Sequence, residues 1–453
     1  MKLSVIILAA GRGTRMRSQQ PKVLHAIAGK SMLERVVNTA QQLSPQEIFV
    51  VYGYQGDLLR ASLPHLKVTW VEQKEQLGTG HAVMQAAPNI PDDHRVLVLY
   101  GDVPLISQAT LEKLLMKASE KSIGMITADL EDPAELGRIV RDQSGNFMKI
   151  VEYKDATEEQ RDIHEINSGI YSFPAHHLRS WLPKISVENA QKEYYLTDVL
   201  SMAVKEGVAV ATVYPNDDSE VMGVNDRLQL ATLERYYQKM HTDNLMRQGM
   251  TLLDPTRVDI RGDVLTQQDV TVDINVIFEG HVTLGRGCHI GPNCIIKNSW
   301  LGDDVIIEAN SIVEDSRVES QCHIGPFARL RPGSELKTKS RIGNFVEIKK
   351  SEIGAGSKVN HLSYIGDTVM GERVNVGAGT ITCNYDGINK HQTIIGDGAF
   401  IGSGTQLVAP VEVGKNAFIG AGSTITMNAP DGQLTMARAR QQTIKEWKSN
   451  KEE

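Results

Sequence analysis

The sequence predicts two structural classes in one chain: an α/β half built on a mostly parallel sheet, then a parallel β-helix of hexapeptide repeats. Three observations carry this. From about Val282 to Ile425 an aliphatic residue returns every sixth position, as in Val318, Ile324, Leu330, Leu336, Ile342 and Ile348, and again in Ile395, Ile401, Leu407, Val413, Ile419 and Ile425. Neither helical nor strand periodicity yields that beat, whereas hexapeptide coils do. Before residue 227, strand-like runs alternate with helical stretches, the pattern of a parallel sheet. Between the halves, Asp226 to Gln248 puts Leu230, Leu233, Tyr237, Met240 and Asn244 on one helical face, and Gly249 follows as a stop signal.

The expected organisation is therefore an α/β domain over 1–227, a linker helix over 228–248 and a β-helix domain over 249–453. A helix of that length is a rod of roughly 30 Å. It reads either as an arm holding the domains apart or as the last helix of the first domain.

At 453 residues the chain has room for two or three domains. Hydrophobic residues at 41% and charged residues at 23% are those of a soluble globular protein. The net charge of −7 argues against nucleic acid or an anionic membrane as partner, though local basic clusters leave anionic small substrates open. No apolar run reaches bilayer-spanning length. Lys2 followed by Leu3 to Ala10 loosely mimics a signal peptide, but it leads into Gly11-Arg12-Gly13-Thr14-Arg15 and not a cleavage site, so a first buried strand is expected. Cys288, Cys294, Cys322 and Cys383 lack CxxC spacing and clustered histidines, which points to buried structural thiols in a reducing cytoplasm.

In chain order, the strand Leu3 to Leu8 breaks into a small-residue loop, with a helix expected from about Pro21. That geometry presents backbone N–H groups to phosphate, and Arg15 and Lys22 add cations. Strands are expected at Glu47–Tyr52, Lys67–Val71 and Arg95–Tyr100, the last ending in Gly101-Asp102. A carboxylate at the C-terminal end of a buried strand lies in the ligand crevice of such a sheet, and magnesium takes hard oxygen ligands. Asp102 is the first candidate for a metal, a turn or cap aspartate being the alternative. Gln73 to Ala82 contains Gly78-Thr79 at an expected helix start, where an amide beside the turn can pair with a pyrimidine edge. His164, His176 and His177 have no acid or nucleophile beside them and read as surface residues.

The string Leu8-Ala9-Ala10-Gly11-x-Gly13-Thr14-Arg15-Met16, with Pro21-Lys22 after it, resembles the signature of sugar-1-phosphate nucleotidylyltransferases. The resemblance implies a Rossmann-like fold, a magnesium ion and loss of pyrophosphate, with Arg15 and Lys22 as catalytic cations. Gln73 to Ala82 resembles the uracil-reading segment of uridylyltransferases. On that resemblance Gln73, Gly78 and Thr79 contact the base, and Leu8, Ala9, Ala10, Gly11, Lys22, Tyr100, Gly101 and Asp102 complete the nucleotide site. Gly137, Glu152, Asn167 and Asn225 face the sugar, and Asn225 joins Asp102 at the metal.

In the second half each inward aliphatic is followed by a corner residue, often Gly, Asp or Lys, and four places on by a small residue such as Ala399, Thr405, Ala417 or Ser423. Three hexads make a triangular coil, and coils stacked roughly 4.8 Å apart share one core. A break between Val376 and Ile395 carries Thr380 to Gly387, which has no inward rhythm. Such breaks map to loops on a binding face. A step of eighteen stacks Arg331 on Lys349, with Asp367 continuing the column, and an anion such as a sugar phosphate would relieve the repulsion of the two cations. A short helix is expected over Thr443 to Lys448.

This half resembles the hexapeptide-repeat acyltransferases, which use acetyl-CoA. The halves together resemble a bacterial family of bifunctional uridylyltransferase–acetyltransferases. The most specific pieces are Leu8 to Met16, Arg329 to Gly333, Asn344 to Glu347, His361 to Gly366 and Gly377 to Asp386. The resemblance implies acetylation of glucosamine-1-phosphate, then coupling to UTP to give UDP-N-acetylglucosamine, by a cytoplasmic homotrimer with left-handed coils. Its acetyl sites would be assembled from neighbouring subunits. His361 becomes the general base, a role histidine suits near neutral pH. Arg331 and Lys349 hold the phosphate, and Tyr364 and Asn375 the sugar. Asn384 and Tyr385 reach the reacting centre and the coenzyme, with Ala378, Ser403, Ala421 and Arg438 on the coenzyme. The rivals are a nucleotidylyltransferase with an inert β-helix and a non-catalytic sugar-nucleotide binder.

Overall fold

The computed structural model describes residues 2–119, 121–445 and 447. It divides into two compact units, Met1–Tyr237 and Gln238–Glu453.

The first unit is an α/β sandwich. Its sheet runs Val210–Val213, Ile123–Asp129, Glu165–Pro174, His94–Tyr100, Lys2–Ala9, Glu47–Tyr52 and Thr69–Glu72. Glu165–Pro174 is antiparallel to both its neighbours, and the hairpin Arg138–Arg141 with Phe147–Val151 pairs onto its start. Lys2–Ala9 is buried from Leu3 onward because apolar cores cover both faces of the sheet. One core takes the helices Met32–Gln42 and Gln108–Lys117, the other Thr79–Ala86, Ala175–Trp181 and Asp198–Lys205. Strand order turns beside Lys2–Ala9, so the ligand crevice opens at Leu8, Ala9 and Tyr100.

One expectation fails here. Pro21 starts only a single 3-10 turn, Lys22–Leu24, and a short hairpin intervenes before the helix begins at Met32. Ser31 caps that helix, its hydroxyl accepting from the Glu34 N–H at 3.2 Å, a stronger start signal than Pro21. Of the three histidines, His164 and His176 are exposed as expected, whereas His177 stacks on Trp181 at 4.9 Å and is half-buried.

The second unit is a parallel β-helix. Eleven short strands stack on one face, and the other two ladders merge into a seventeen-stranded sheet. Both aliphatic runs point inward, every member at 2% exposure or less. Ala399, Thr405, Ala417 and Ser423 are buried with them. Corner residues adopt positive φ, which Asn, Asp and Gly tolerate best, as at Asn293, Asn310 and Gly379. Cys288, Cys294 and Cys322 lie in the core, and burial pushes Cys288 and Cys294 up to about 11.

The coil step is not uniform. Leu330 pairs with Ile348, eighteen on, but Ile348 pairs with Ile365, seventeen on. Asp367 therefore stacks beyond Lys350, while Lys349 is in register with Gly366. In the expected break, Thr382 takes the inward place at 1% exposure. A hydroxyl is admissible there because it accepts from the Gly366 N–H at 2.8 Å and donates to the Gly366 carbonyl. Residues 443–445 and 447 form no helix, and Glu446 and Lys448 lie outside the described residues.

The helix Arg227–Arg247 contributes to both units. Leu233, with Leu230 and Tyr237, packs on the first unit against Met16, Ile27 and Met32. Past Tyr237 the buried positions are Gln238, Thr242 and Leu245, while Met240 and Asn244 are exposed. Gln238 is held at 3% exposure because its amide pairs with the Ile260 N–H and carbonyl, each at 2.8 Å. No helix among the described residues is long and apolar enough to cross a membrane. Gln238→Ala is expected to lower stability by about 1–3 kcal/mol for each backbone group it orphans, whereas Asn244→Ala should stay within about 0.5 kcal/mol. Denaturant unfolding of the two variants checks this.

Candidate active sites

In the first unit a cavity of about 830 Å³ opens at the strand ends. Leu8, Ala9, Ala10, Gly11, Lys22, Gln73, Gly78, Thr79, Tyr100 and Asp102 all line it, together with Arg12, Gln76 and Glu193. A Cβ on Gly11 would meet nothing within 4 Å, so its backbone faces open space. Gly78 has φ +108, and a Cβ there would lie 2.7 Å from the Tyr194 carbonyl. The loop behind is fastened to this turn: the Tyr194 N–H donates to the Leu77 carbonyl, and the Leu196 N–H to Thr79 Oγ1 at 3.1 Å.

Lys22 Nζ lies 2.5 Å from Asp102 Oδ2 and 3.3 Å from Asn225 Oδ1. Two hard oxygens from separate loops thus converge on one cation. Gly101 precedes Asp102 and packs on Val23 and Ala9, where a Cβ would be 3.3 Å from Val23. Burial pushes the Tyr100 phenol up, helped by the charges of Glu152 and Asp102.

Arg15 is placed elsewhere than expected. It lines a second cavity of about 380 Å³ with Glu135, Glu152, Tyr153, Lys154, Gln191 and Tyr195. Gly137 abuts that site, since a Cβ on it would be 3.3 Å from Glu152 Oε2. Asn167 Oδ1 accepts from Tyr171 Oη at 2.8 Å and from the Gly169 N–H. Burial raises Glu152, a shift opposed by the Thr197 hydroxyl and reinforced by Asp155 and Asp198. Burial also pushes Tyr195 up to about 12, keeping it a donor.

In the second unit His361 is exposed, and its Nδ1 lies 3.0 Å from Asn344 Oδ1. Asn375, in register with Lys358 and Phe400, belongs to the same eleven-stranded face. Around the corner a charged cluster forms. Arg331 Nη1 donates to Glu347 Oε1 at 2.8 Å, and Lys349 Nζ reaches Asp367 Oδ2 at 3.4 Å. Asn384 Nδ2 donates to the same Asp367 oxygen at 2.5 Å and approaches Tyr364 Oη at 3.5 Å. The two cations are thus relieved by Glu347 and Asp367 of the chain itself. Lys390 arrives from the loop, bridged to Tyr385; the hydrogen bond to Lys349 and that neighbour's like charge push Lys390 down, while the same hydrogen bond and the Asp367 carboxylate push Lys349 up. Asp386 holds the loop, accepting from the Ile388 and Asn389 N–H groups and pairing with His391 at 2.7 Å.

Ala378, Ser403 and Ala421 fall on one corner of successive coils. The Gly404 N–H donates to the Ala378 carbonyl and the Gly422 N–H to the Ser403 carbonyl, each in turn. Gly404 has φ +67 between Gly379 and Gly422, so a corner position explains the glycine. Arg438 Nη1 donates to the Ala421 carbonyl at 2.7 Å.

Sequence reasoning missed Arg12, Glu193, Asn344 and Lys390 as site residues. Arg12 was the unread position of the glycine string. Asn344 was legible as His361's neighbour only through a seventeen-residue step.

The model of the MobA-like NTP transferase domain matches residues 5–153, that of the GMPPB C-terminal domain 260–338, and the bacterial transferase hexapeptide, six repeats, 392–426. Fold and sites thus define a nucleotidyltransferase that continues into a hexapeptide-repeat acyltransferase. Relatives that match the whole chain narrow the class. The bifunctional protein GlmU of Marinobacter nauticus is 54% identical over 449 residues, 99% of each chain. That of Idiomarina loihiensis is 53% identical over 447 residues, covering 99% of this chain and 98% of its own. That of Methylococcus capsulatus is 54% identical over 449 residues, 99% and 97%. The chain belongs to the bifunctional GlmU family. Among solved structures, a nucleotidyl transferase from Methanothermobacter thermautotroptrophicus aligns with TM-score 0.38 and 18% identity over 53% of this chain and 99% of that one.

Two outcomes follow from this geometry. Gly78→Ala is expected to weaken nucleotide binding by about tenfold or more, since both φ and the Tyr194 carbonyl oppose a side chain; titration of the variant with UTP checks it. Glu152 is raised in the folded state, so its contribution to stability is most favourable below the ordinary carboxylate range and is lost as pH rises through the folded value. Glu152→Gln should therefore melt higher than the parent at neutral pH, with the gap closing on acidification. Melting curves across pH measure that gap.

Proposed function

We propose that each unit carries out one of two successive transfers leading to UDP-N-acetylglucosamine. In the β-helix domain, residues 249–453 within the second unit, acetyl passes from acetyl-CoA to glucosamine-1-phosphate. In the α/β domain, residues 1–227 within the first unit, UTP is joined to N-acetylglucosamine-1-phosphate, with residues 228–248 as the connecting helix. The observation that carries this is the presence of two independent constellations, Lys22 with Asp102 and Asn225, and His361 with the Lys349 cluster, on a chain matched end to end by bifunctional relatives.

In the uridylyl site Gln73, Gly78 and Thr79 take the base, and the Leu8 to Gly11 backbone, Tyr100 and Gly101 line the nucleotide. Gly137, Glu152, Asn167 and Asn225 take the sugar. An oxygen of the sugar phosphate attacks the α-phosphorus in line, the α–β bridging bond breaks, and pyrophosphate leaves. The chain's part is positioning and charge neutralisation: Lys22 from the floor, Arg15 from the sugar side. Asp102 Oδ2 and Asn225 Oδ1 fit a magnesium ion, because both already reach a single cation and phosphates and waters supply its other ligands. Bound there, magnesium would neutralise charge on the triphosphate.

In the acetyl site a neutral His361 donates from Nδ1 to Asn344 Oδ1, which leaves Nε2 to accept the proton of the glucosamine ammonium. The freed amine attacks the thioester carbonyl, the carbon–sulfur bond breaks, and coenzyme A leaves. Arg331 and Lys349 hold the phosphate, and Tyr364 and Asn375 the sugar. Asn384, Tyr385, Ala378, Ser403, Ala421 and Arg438 line the coenzyme. The exposed column of Phe327, stacked on Phe345 at 5.2 Å, and Leu362 at 63% exposure next to His361 supports assembly into a homotrimer that completes the site. Unpaired core thiols suit a reducing cytoplasm.

Asp102→Ala is expected to lower UDP-sugar formation at least 100-fold or so while acetylation persists, and His361→Ala to do the reverse by a similar factor. Chelation of divalent cations should stop only the first. Pyrophosphate release and coenzyme A thiol release, assayed separately, read the two; loss of both activities from either substitution would defeat the division.

A further inference from the structure

We propose that His81 sets the base preference of the uridylyl site by holding the Gln73 amide in one orientation, an inference that rests on the uridylyl reading above. Gln73 is 2% exposed yet lines the cavity. Its Nε2 lies 3.1 Å from the Gly78 carbonyl and 3.0 Å from His81 Nδ1. A carbonyl only accepts, so the nitrogen of Gln73 must face Gly78, and its second N–H then falls on Nδ1. With both hydrogens engaged, the side chain offers a ligand its Oε1, an acceptor.

The far side of the imidazole decides the tautomer. His81 Nε2 is 3.2 Å from Gln85 Nε2, which also donates to the His81 carbonyl at 3.0 Å. Two amide nitrogens thus approach one ring, and a neutral imidazole has a single acceptor nitrogen. Gln73 is buried and Gln85 half-exposed. An unmet donor is the more costly where water is excluded, so Gln73 takes Nδ1 and the Gln85 amide keeps its bond to the His81 carbonyl. Tyr194, its ring 6.1 Å from that of His81, flanks the imidazole from the loop that closes the Gly78 turn.

An acceptor fixed toward the base discriminates by chemistry. Uracil presents N3–H, a donor, and pairs with Oε1; cytosine presents a bare N3, an acceptor, and leaves two lone pairs face to face. A site built to meet a substrate N–H rejects the analogue lacking it far more strongly than an apolar pocket does. His81 is therefore a positioning residue, acting through Gln73 without touching substrate.

The test is kcat/KM for UTP, 5-methyl-UTP and CTP on the full chain carrying His81→Phe or His81→Asn. Phe keeps the ring and removes the acceptor, so the UTP-to-CTP ratio should fall about tenfold or more, with 5-methyl-UTP falling alongside UTP because it keeps N3–H. Asn, whose Oδ1 lies near the former Nδ1 position, should restore most of the ratio. An unchanged ratio in His81→Phe, whatever its absolute rate, overturns the proposal, as does an Asn variant that behaves like Phe. If Phe unfolds the chain, detected by loss of the melting transition, His81→Ala carries the same comparison. Failure of the parent chain to make any UDP-sugar would instead sink the uridylyl reading itself.

Discussion

The β-helix exists because its chain turns a corner every six residues or so, and most corners take a left-handed backbone. One such column runs Asn275, Asn293, Asn310, Phe327, Phe345, Leu362, Gly379, Gly404 and Gly422, each N–H donating to the coil before it. Asparagine and glycine enter this region at little cost; bulky side chains do not. Phe327, Phe345 and Leu362, with φ of 55, 56 and 48, break the rule on three successive coils, and all three are exposed. Strain of order 1–3 kcal/mol at each is concentrated where His361 stands, and the uniform aliphatic core beneath is what holds it.

The first unit meets an equivalent constraint with glycine. Gly13 lies 2.6 Å, measured from a built Cβ, from the Lys22 side chain, and Gly78 closes on the Tyr194 backbone. These approaches set Lys22 under the strand ends and shape the wall of the larger cavity. In both units the candidate site residues sit where the regular repeat gives way: at the strand–loop junctions of the sheet, and beside the longest coil, where Val376 pairs with Ile401, twenty-five on.

That distinction explains what could be read from sequence. The hexad survives because every inward position needs an apolar group of similar size, and Leu330 or Ile401 declares it directly. The strand Lys2–Ala9 and the Gly78 helix start were equally plain. Positions whose burial is bought with hydrogen bonds were not. Gln238 and Thr382 look like surface residues, and only the paired Ile260 backbone and the Gly366 N–H make them interior. Register was the other blind spot. A single coil of seventeen moves Asp367 off Lys349 and onto Lys350, a shift that no local pattern announces. Arg15 went astray for a related reason. The loop between Gly11 and Lys22 places Arg12 at one cavity and Arg15 at the other, a division no spacing announces.

The two units also prepare differently for an anion. In the first, Lys22 is held by Asp102 and an amide oxygen, and the glycine loop offers backbone donors that need no counter-ion. In the second, Arg331 and Lys349 each rest against a carboxylate, and Lys390 is pressed against Lys349. Removing charge partners from cations gathered this closely would leave them mutually repelling. Glu347 and Asp367 therefore keep the cluster assembled without a ligand. Asp367 does so from a corner, at φ 49, where it can reach Lys349, Lys350 and Asn384 together. The shortened coil that moves Asp367 off the Lys349 column is thus the same feature that lets one carboxylate reach both lysines and the amide.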